Sequence, residues 1–214
     1  MIESFRAWRA TGFASNRAWY AQLAEFGQRP RAMVIGCCDS RIDVQALLGA
    51  EPGALFTVRN VANIAPPYAL DHEHHGTSAA IEFAVTVLRV AHVVVMGHAK
   101  CGGVEACYDR QSKKSEKRAG EPDEPPSFLD RWIDILAPAY ERIADVDGDR
   151  ATRIRALEKE SVLTSMRNLE SFPFVREAVA NGRLTIHGAW FDISEGRLHV
   201  HDPTTGEFSP VAAD

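Results

Sequence analysis

Long uncharged stretches are absent from this chain of 214 residues. No uncharged run approaches the ~20 residues that a membrane-spanning helix needs. The first six residues carry an acid and no uninterrupted apolar segment, so a secretory signal is not expected. An excess of basic residues is missing too, since 24 lysines and arginines stand against 29 acids. This balance offers no basic face for nucleic acid or for an anionic membrane.

Cysteine is also scarce. Four cysteines in 214 residues are too few for a disulfide scaffold. Two of them, Cys37 and Cys101, follow apolar runs, and Cys101 lies close to His98. This pattern favours reduced thiolates on a metal, so a cytoplasmic location is predicted. A chain of this length, 45% hydrophobic and 25% charged, fits one sizeable α/β domain.

The domain organisation is predicted from breaks in the pattern. Residues 1–27 are predicted to form a helical arm that breaks near Gly12 and Ser15. The large aromatic residues of this arm pack either on the chain's own core or on a partner subunit. Residues 28–214 are predicted to form a single domain, in which the polar, proline-ended segment 112–126 is a flexible loop.

Apolar runs alternate with helical patterns along this domain. Buried strands are predicted at 31–36, 54–58, 91–97 and 184–193, followed by a hairpin strand at 197–201. Helices are predicted at 42–48, 74–90, 128–144, 150–169 and 172–180, and one more begins at Gly102. The fold class is therefore α/β, with a mostly parallel sheet of about four strands, an antiparallel edge strand and helices on both faces.

Two strands end in side chains that bind metals. Cys37 and Asp39 follow the first strand, and His98 and Cys101 follow the third. Ligands of such sheets bind outside the carboxyl ends of the strands, so these side chains are expected to meet. Two thiolates and an imidazole form a three-ligand zinc set that leaves a fourth position open. The alternative is that the cysteines are buried small hydrophobes.

Asp39 and Arg41 alternate along an extended segment and are predicted to form a pair. The arginine would keep the carboxylate ionised. Asp39 then either accepts a hydrogen bond from a metal-bound hydroxide or occupies the fourth zinc position itself. The alternative is an ordinary turn salt bridge. Cys38 faces away from Cys37 in an extended segment and is predicted to pack.

Several blocks of sequence, in order, resemble the β-class carbonic anhydrases. They are Cys37-x-Asp39-Ser40-Arg41, Glu51-Pro52-Gly53, Arg59-Asn60-Val61-Ala62-Asn63, Gly76-Thr77 with Ala80-Ile81-Glu82, Gly97-His98-x-x-Cys101-Gly102-Gly103, Ser165-x-x-Asn168-Leu169, Pro173-Phe174-Val175 and His187-Gly188. The resemblance runs from Gln28 to the final strands.

The resemblance implies a zinc lyase that interconverts carbon dioxide and bicarbonate, with Cys37, His98 and Cys101 as metal ligands. It further implies that zinc-bound hydroxide attacks carbon dioxide, that Asp39 orients this hydroxide and that Arg41 holds Asp39. The implied active cleft lies at the interface of a homodimer or a dimer of dimers. The implied substrate-binding residues are Gln28, Phe56, Val61, Phe83 and Gly102.

One subtype of that family closes its aspartate on zinc and carries a second bicarbonate site of Trp, Arg and Tyr. The matching positions here are Val34, Arg59 and Phe191, so only the arginine remains, and it also suits a loop anchor. Gln28 matches the other subtype. An open site is therefore predicted, with water or an anion as the fourth ligand. Hydrolysis of carbon disulfide or carbonyl sulfide, and a non-catalytic zinc module, remain as alternative functions.

Overall fold

A computed structural model describes residues 1–70, 75–116 and 125–212. Within these ranges the chain forms one mixed sheet of six strands, in the order β2-β1-β3-β4-β5-β6. The strands are β1 Ala32–Cys37, β2 Leu55–Asn60, β3 His92–His98, β4 Thr185–Asp192, β5 Arg197–His201 and β6 Phe208–Pro210.

Helices connect and cover the strands. The α-helices are α1 Ile2–Trp8, α2 Arg17–Phe26, α3 Val44–Leu47, α4 Gly76–Glu82, α5 Gly102–Glu116, α6 Phe128–Ile133, α7 Ala137–Arg142, α8 Arg150–Ser171 and α9 Pro173–Ala180. Arg9–Phe13 and Phe83–Val87 are π-helical, and Val61–Asn63 and Asp134–Leu136 are 3₁₀ turns. No helix in the described ranges is long and apolar enough to cross a bilayer.

The predicted α/β class is confirmed. Strand β1 pairs in parallel with β2 and β3, and β3 pairs in parallel with β4. Strand β5 is antiparallel to β4, as predicted. It is not the edge, because β6 pairs with it on the outer side. Strand β6 was not predicted, since three residues ending in proline are too short to show an alternating pattern.

The central strands are apolar throughout because both faces of the sheet are covered. One face packs Met33, Ile35 and Val95 against residues of α8 and α9. The opposite face packs Val34 and other strand residues against the segment that leads into α3. A third apolar cluster lies beyond the carboxyl ends of the strands, and it contains both Cys37 and Cys101.

Helix boundaries follow recognisable caps. Asp43 caps α3, and Asp149 caps α8 by accepting from the Thr152 amide. The predicted helix 128–144 divides into α6, a 3₁₀ turn and α7, and Pro138 lies in the first turn of α7, where proline is tolerated. The predicted helix 74–90 is observed as α4 and the following π turn, and its residue 74 lies outside the described part.

The predicted flexible loop 112–126 is wrong at its start. Helix α5 continues to Glu116, because tertiary contacts hold its last turns. The Lys114 ammonium donates to Asp134 at 2.9 Å, and the Ser112 hydroxyl lies 3.0 Å from that of Tyr140. Residues 117–124 of the predicted loop lie outside the described part.

The N-terminal arm is helical: α1 continues through a π-helical turn at Arg9–Phe13, and the chain breaks at Asn16, directly before α2. None of the residues of α1 or α2 is buried. Phe5 is 57% exposed and Phe26 is 66% exposed. Trp19 is anchored, because its indole N–H donates to the Pro52 carbonyl at 2.9 Å. The arm thus keeps much of its aromatic surface free of the chain's own core.

Candidate metal centre

Three predicted ligands meet at one edge of the sheet. Cys37 ends β1, His98 ends the neighbouring parallel strand β3, and Cys101 immediately precedes α5. Their ligand atoms all lie within 4.8 Å of one another, and all three side chains are buried. The two Sγ atoms are 3.9 Å apart, close to the roughly 3.8 Å expected for two thiolates on a tetrahedral zinc with bonds of ~2.3 Å.

The His98 ring is oriented for a metal. Its Nδ1 lies 2.9 Å from the Ala99 carbonyl oxygen, so Nδ1–H donates there and Nε2 keeps its lone pair. Nε2 is buried without a hydrogen-bond partner in the structure. A buried acceptor without a partner is costly, whereas a metal between Nε2 and the two sulfurs would use that lone pair. The donor set therefore fits a zinc ion.

The two thiols share a proton. The hydrogen bond from Cys101 is the main cause that lowers the pKa of Cys37 to about 4, and the Asp39 and Ala62 amides act in the same direction, while burial opposes them. The same pairing with Cys37, together with burial, raises the pKa of Cys101. One thiolate is therefore favoured before any metal arrives. A metal ion would replace the shared proton.

Asp39 and Arg41 lie beside the ligands as a fork-like pair. Arg41 Nε donates to Asp39 Oδ1 at 2.9 Å, and Arg41 Nη2 donates to Oδ2 at 2.6 Å. These hydrogen bonds hold the pKa of the Asp39 carboxyl well below its usual range. Asp39 Oδ2 is 3.9 Å from Nε2 of His98. An ionised carboxylate therefore borders the space that the three ligands enclose.

Arg59 anchors the segment that carries these residues. Its Nε donates to the Cys37 carbonyl at 2.9 Å, and its Nη2 donates to the carbonyls of Asp39 and Ile42 at 2.8 and 2.6 Å. This is the loop-anchoring use considered for Arg59. The two other positions of the second bicarbonate site are apolar, and Val34 and Phe191 belong to one hydrophobic cluster.

Glu158 is a residue of the site that was not predicted from the sequence. This residue of α8 is only 3% exposed, and its Oε1 accepts from the Cys101 amide at 3.3 Å. Burial raises the pKa of its carboxyl, although the amides of Cys101 and Lys100 oppose that effect. The available signal was its helical spacing, since Glu158, Ser161 and Ser165 share the inward face of α8 at i, i+3 and i+7.

Two predicted substrate-binding residues are in contact. The rings of Phe56 and Phe83 lie 5.8 Å apart between centroids, and Phe83 is 42% exposed. Val61 lies in the 3₁₀ turn, where its carbonyl accepts from the Trp132 indole at 2.8 Å. The Val61 side chain approaches α5 so closely that a Cβ at Gly103 would lie 2.6 Å from it.

The two other predicted substrate-binding residues are exposed. Gly102 begins α5 directly after Cys101, and a Cβ there would meet nothing within 4 Å. Gln28 lies between α2 and β1.

The packing predicted for Cys38 is wrong, because this residue is exposed while Cys107 is buried. Strand β1 ends at Cys37, so the alternation of the strand does not fix the direction of Cys38.

Fold and site together define an α/β protein with a Cys-His-Cys metal-binding group at the carboxyl edge of its sheet. A family model described as "Carbonic anhydrase" matches residues 32–198. Beta carbonic anhydrase 3 of Arabidopsis thaliana is 34% identical over 198 residues, which are 92% of this chain and 73% of that protein.

Solved structures show the same likeness. The β-carbonic anhydrase CcaA has a TM-score of 0.86 at 28% identity, covering 99% of this chain and 91% of that one. One of two tetrameric β-carbonic anhydrases from Sordaria macrospora has a TM-score of 0.77 at 32% identity, covering 93% of each chain. The chain belongs to the β-class carbonic anhydrases, a family of lyases.

Proposed function

We propose that this protein catalyses the reversible hydration of carbon dioxide to bicarbonate and a proton at a zinc ion held by Cys37, His98 and Cys101. The observation that carries the proposal is the convergence of these three buried ligand atoms within 4.8 Å beside an ionised Asp39. Zinc held there would act as a Lewis acid that makes water available as a nucleophile near neutral pH. Three protein ligands leave a place for that chemistry.

Asp39 orients the reacting water in this proposal. An ionised carboxylate can only accept hydrogen bonds, so a water beside it directs an O–H at Asp39 and a lone pair toward carbon dioxide. Arg41 donates to both carboxylate oxygens, which fixes the carboxylate plane and keeps it charged. The pairing with Arg41 also supports an open site, since both oxygens of the carboxylate already accept from the guanidinium.

The proposed substrate pocket is small and apolar. Phe56, Phe83 and Val61 would form walls that suit carbon dioxide, which is uncharged and gains little from polar groups. Gln28 would donate a hydrogen bond to bicarbonate or another anion. Gly102 would leave space beside Cys101, because its position carries no side chain and meets no neighbour within 4 Å.

The proposed assembly is a homodimer or a dimer of dimers. The arm helices bury no residue in their own chain, and a cavity of about 650 Å³ lies between α2 and the 51–55 segment. Relatives from Sordaria macrospora are described as tetrameric. Light scattering should give a multiple of the 23.6 kDa chain mass, and a monomer at micromolar concentration would contradict this assembly.

The proposed compartment is the cytoplasm, where thiolate ligands stay reduced.

Stopped-flow measurements test the proposed reaction. Zinc-loaded protein at pH 7–8.5 should hydrate carbon dioxide well above the buffer rate, and chelation of zinc should remove that activity. Release of sulfide from carbon disulfide, measured on the same sample, should be slow in comparison. Faster sulfide release would favour the hydrolase alternative, and a zinc-loaded protein without either activity would favour a non-catalytic module.

A further inference from the structure

A buried carboxyl lies on the far side of the turn that carries Cys101. Glu158 belongs to the inward face of α8 and is 3% exposed. A carboxyl removed from water needs hydrogen-bond donors, and the Cys101 amide supplies one at 3.3 Å. Glu158 therefore contacts the backbone of the turn His98–Cys101, which we call the metal-binding turn. It does not occupy the Cys101 sulfur, which stays available to a metal.

The Cys101 amide belongs to the Lys100–Cys101 peptide, and the carbonyl end of this peptide is also hydrogen-bonded. The carbonyl of Lys100 belongs to the Lys100–Cys101 peptide, and it accepts from Arg41 Nη2 at 2.9 Å. The described peptide bonds are all trans, so N–H and C=O of this unit point in opposite directions. Glu158 holds one end of the peptide plane and Arg41 holds the other.

This turn needs such support. Lys100 has a φ of 56°, a left-handed conformation that residues with a side chain rarely adopt. The Arg41 Nη2 that contacts its carbonyl also donates to Asp39 Oδ2 at 2.6 Å. A rotation of the Lys100–Cys101 peptide would therefore remove one acceptor from the guanidinium that fixes Asp39.

We propose that Glu158 is a positioning residue, which orients the Lys100–Cys101 peptide and acts through Arg41 on Asp39. The inference rests on the proposed function for its catalytic consequence, whereas its structural part stands independently. Glu158 touches neither substrate nor reacting atoms. Its effect passes through one peptide plane and one guanidinium.

A crystal structure of Glu158→Met tests the structural part without any activity measurement. Methionine matches the length of glutamate but offers no comparable acceptor. Arg41 Nη2 should then lie beyond hydrogen-bond distance of the Lys100 carbonyl, while Glu158→Gln, which keeps an acceptor oxygen, should retain that contact. An unchanged contact in Glu158→Met would overturn the proposal.

A double-mutant cycle with Arg41→Ala tests the catalytic part. Glu158→Met should lower kcat/KM by roughly 10–100-fold, as losses of outer-shell partners do, and should have little further effect once Arg41 is alanine. If Glu158→Met lowered kcat/KM by the same factor in the wild type and in Arg41→Ala, the proposed route through Arg41 would be overturned. If Glu158→Met does not fold, Glu158→Asp, which withdraws the acceptor by one methylene, enters the same cycle with the same criteria.

Ser161→Ala is the matched control. Ser161 is fully buried on the same face of α8, and its hydroxyl donates to the Glu158 backbone carbonyl at 2.8 Å. It should keep near wild-type kcat/KM, and a loss equal to that of Glu158→Met would assign the effect to helix packing. A wild type without hydration activity would defeat the proposed function and leave the crystallographic criterion to decide on Glu158.

Discussion

Replacing Asp39 with alanine is expected to leave zinc bound while the rate of carbon dioxide hydration falls by about 10²–10⁴-fold, the range typical of a positioned acid–base group. The metal should remain because Cys37, His98 and Cys101 are all unchanged. The rate should fall because no ionised acceptor then orients the reacting water. Zinc content by elemental analysis and kcat by stopped-flow, on one preparation, measure both quantities.

Two further variants serve as comparisons for Asp39→Ala. Asp39→Asn keeps the shape but turns one acceptor into a donor, so it should be nearly as slow as alanine. Ser40→Ala changes an exposed neighbour and should stay near wild type. Loss of zinc from Asp39→Ala would show that Asp39 is itself a metal ligand, which contradicts the role given to it.

Replacing Cys101 with serine is expected to remove the metal. A serine hydroxyl is a poor zinc ligand, and the two remaining ligands cannot hold a catalytic ion. Zinc per chain should fall well below one, and hydration should fall to the buffer rate. The variant should also lose the stabilisation that zinc gives the wild type, about 4 kcal/mol when free zinc is 1,000 times its Kd.

Cys38→Ser is the control for this substitution. It removes a thiol directly beside Cys37, but that thiol is exposed and lies outside the metal-binding group. It should therefore keep one zinc per chain, and its thermal unfolding should respond to zinc as the wild type does. One tightly bound zinc in Cys101→Ser would contradict the ligand set.

The parts of the fold that could be predicted are those with a strong local pattern. The apolar runs of β1 and β3 predict parallel strands covered on both faces, and parallel pairing brings their carboxyl ends to one edge. Cys37, His98 and Cys101 therefore had to meet once the topology was known. Strand β6 could not be predicted, because its pairing with β5 depends on backbone contacts that three residues do not encode.

Tertiary contacts explain the remaining differences between the predicted and the observed structure. The last turns of α5 look like a polar linker in sequence, but Asp134 and Tyr140 of neighbouring helical segments bind Lys114 and Ser112. Glu158 also looks like an ordinary helix glutamate until α8 packs beneath the metal-binding turn. In both cases the partner lies about 20 residues or more away in sequence, beyond the reach of periodicity.

The orientation of Asp39 in the zinc-loaded protein is the most direct test of the proposed mechanism. A crystal structure of the zinc-loaded protein at neutral pH measures the distance from the Asp39 carboxylate to zinc and to Arg41. We expect a carboxylate hydrogen-bonded to Arg41, as in the 2.6 Å contact of this structure, and a water or an anion as the fourth zinc ligand. Asp39 bound to zinc with Arg41 released would contradict it.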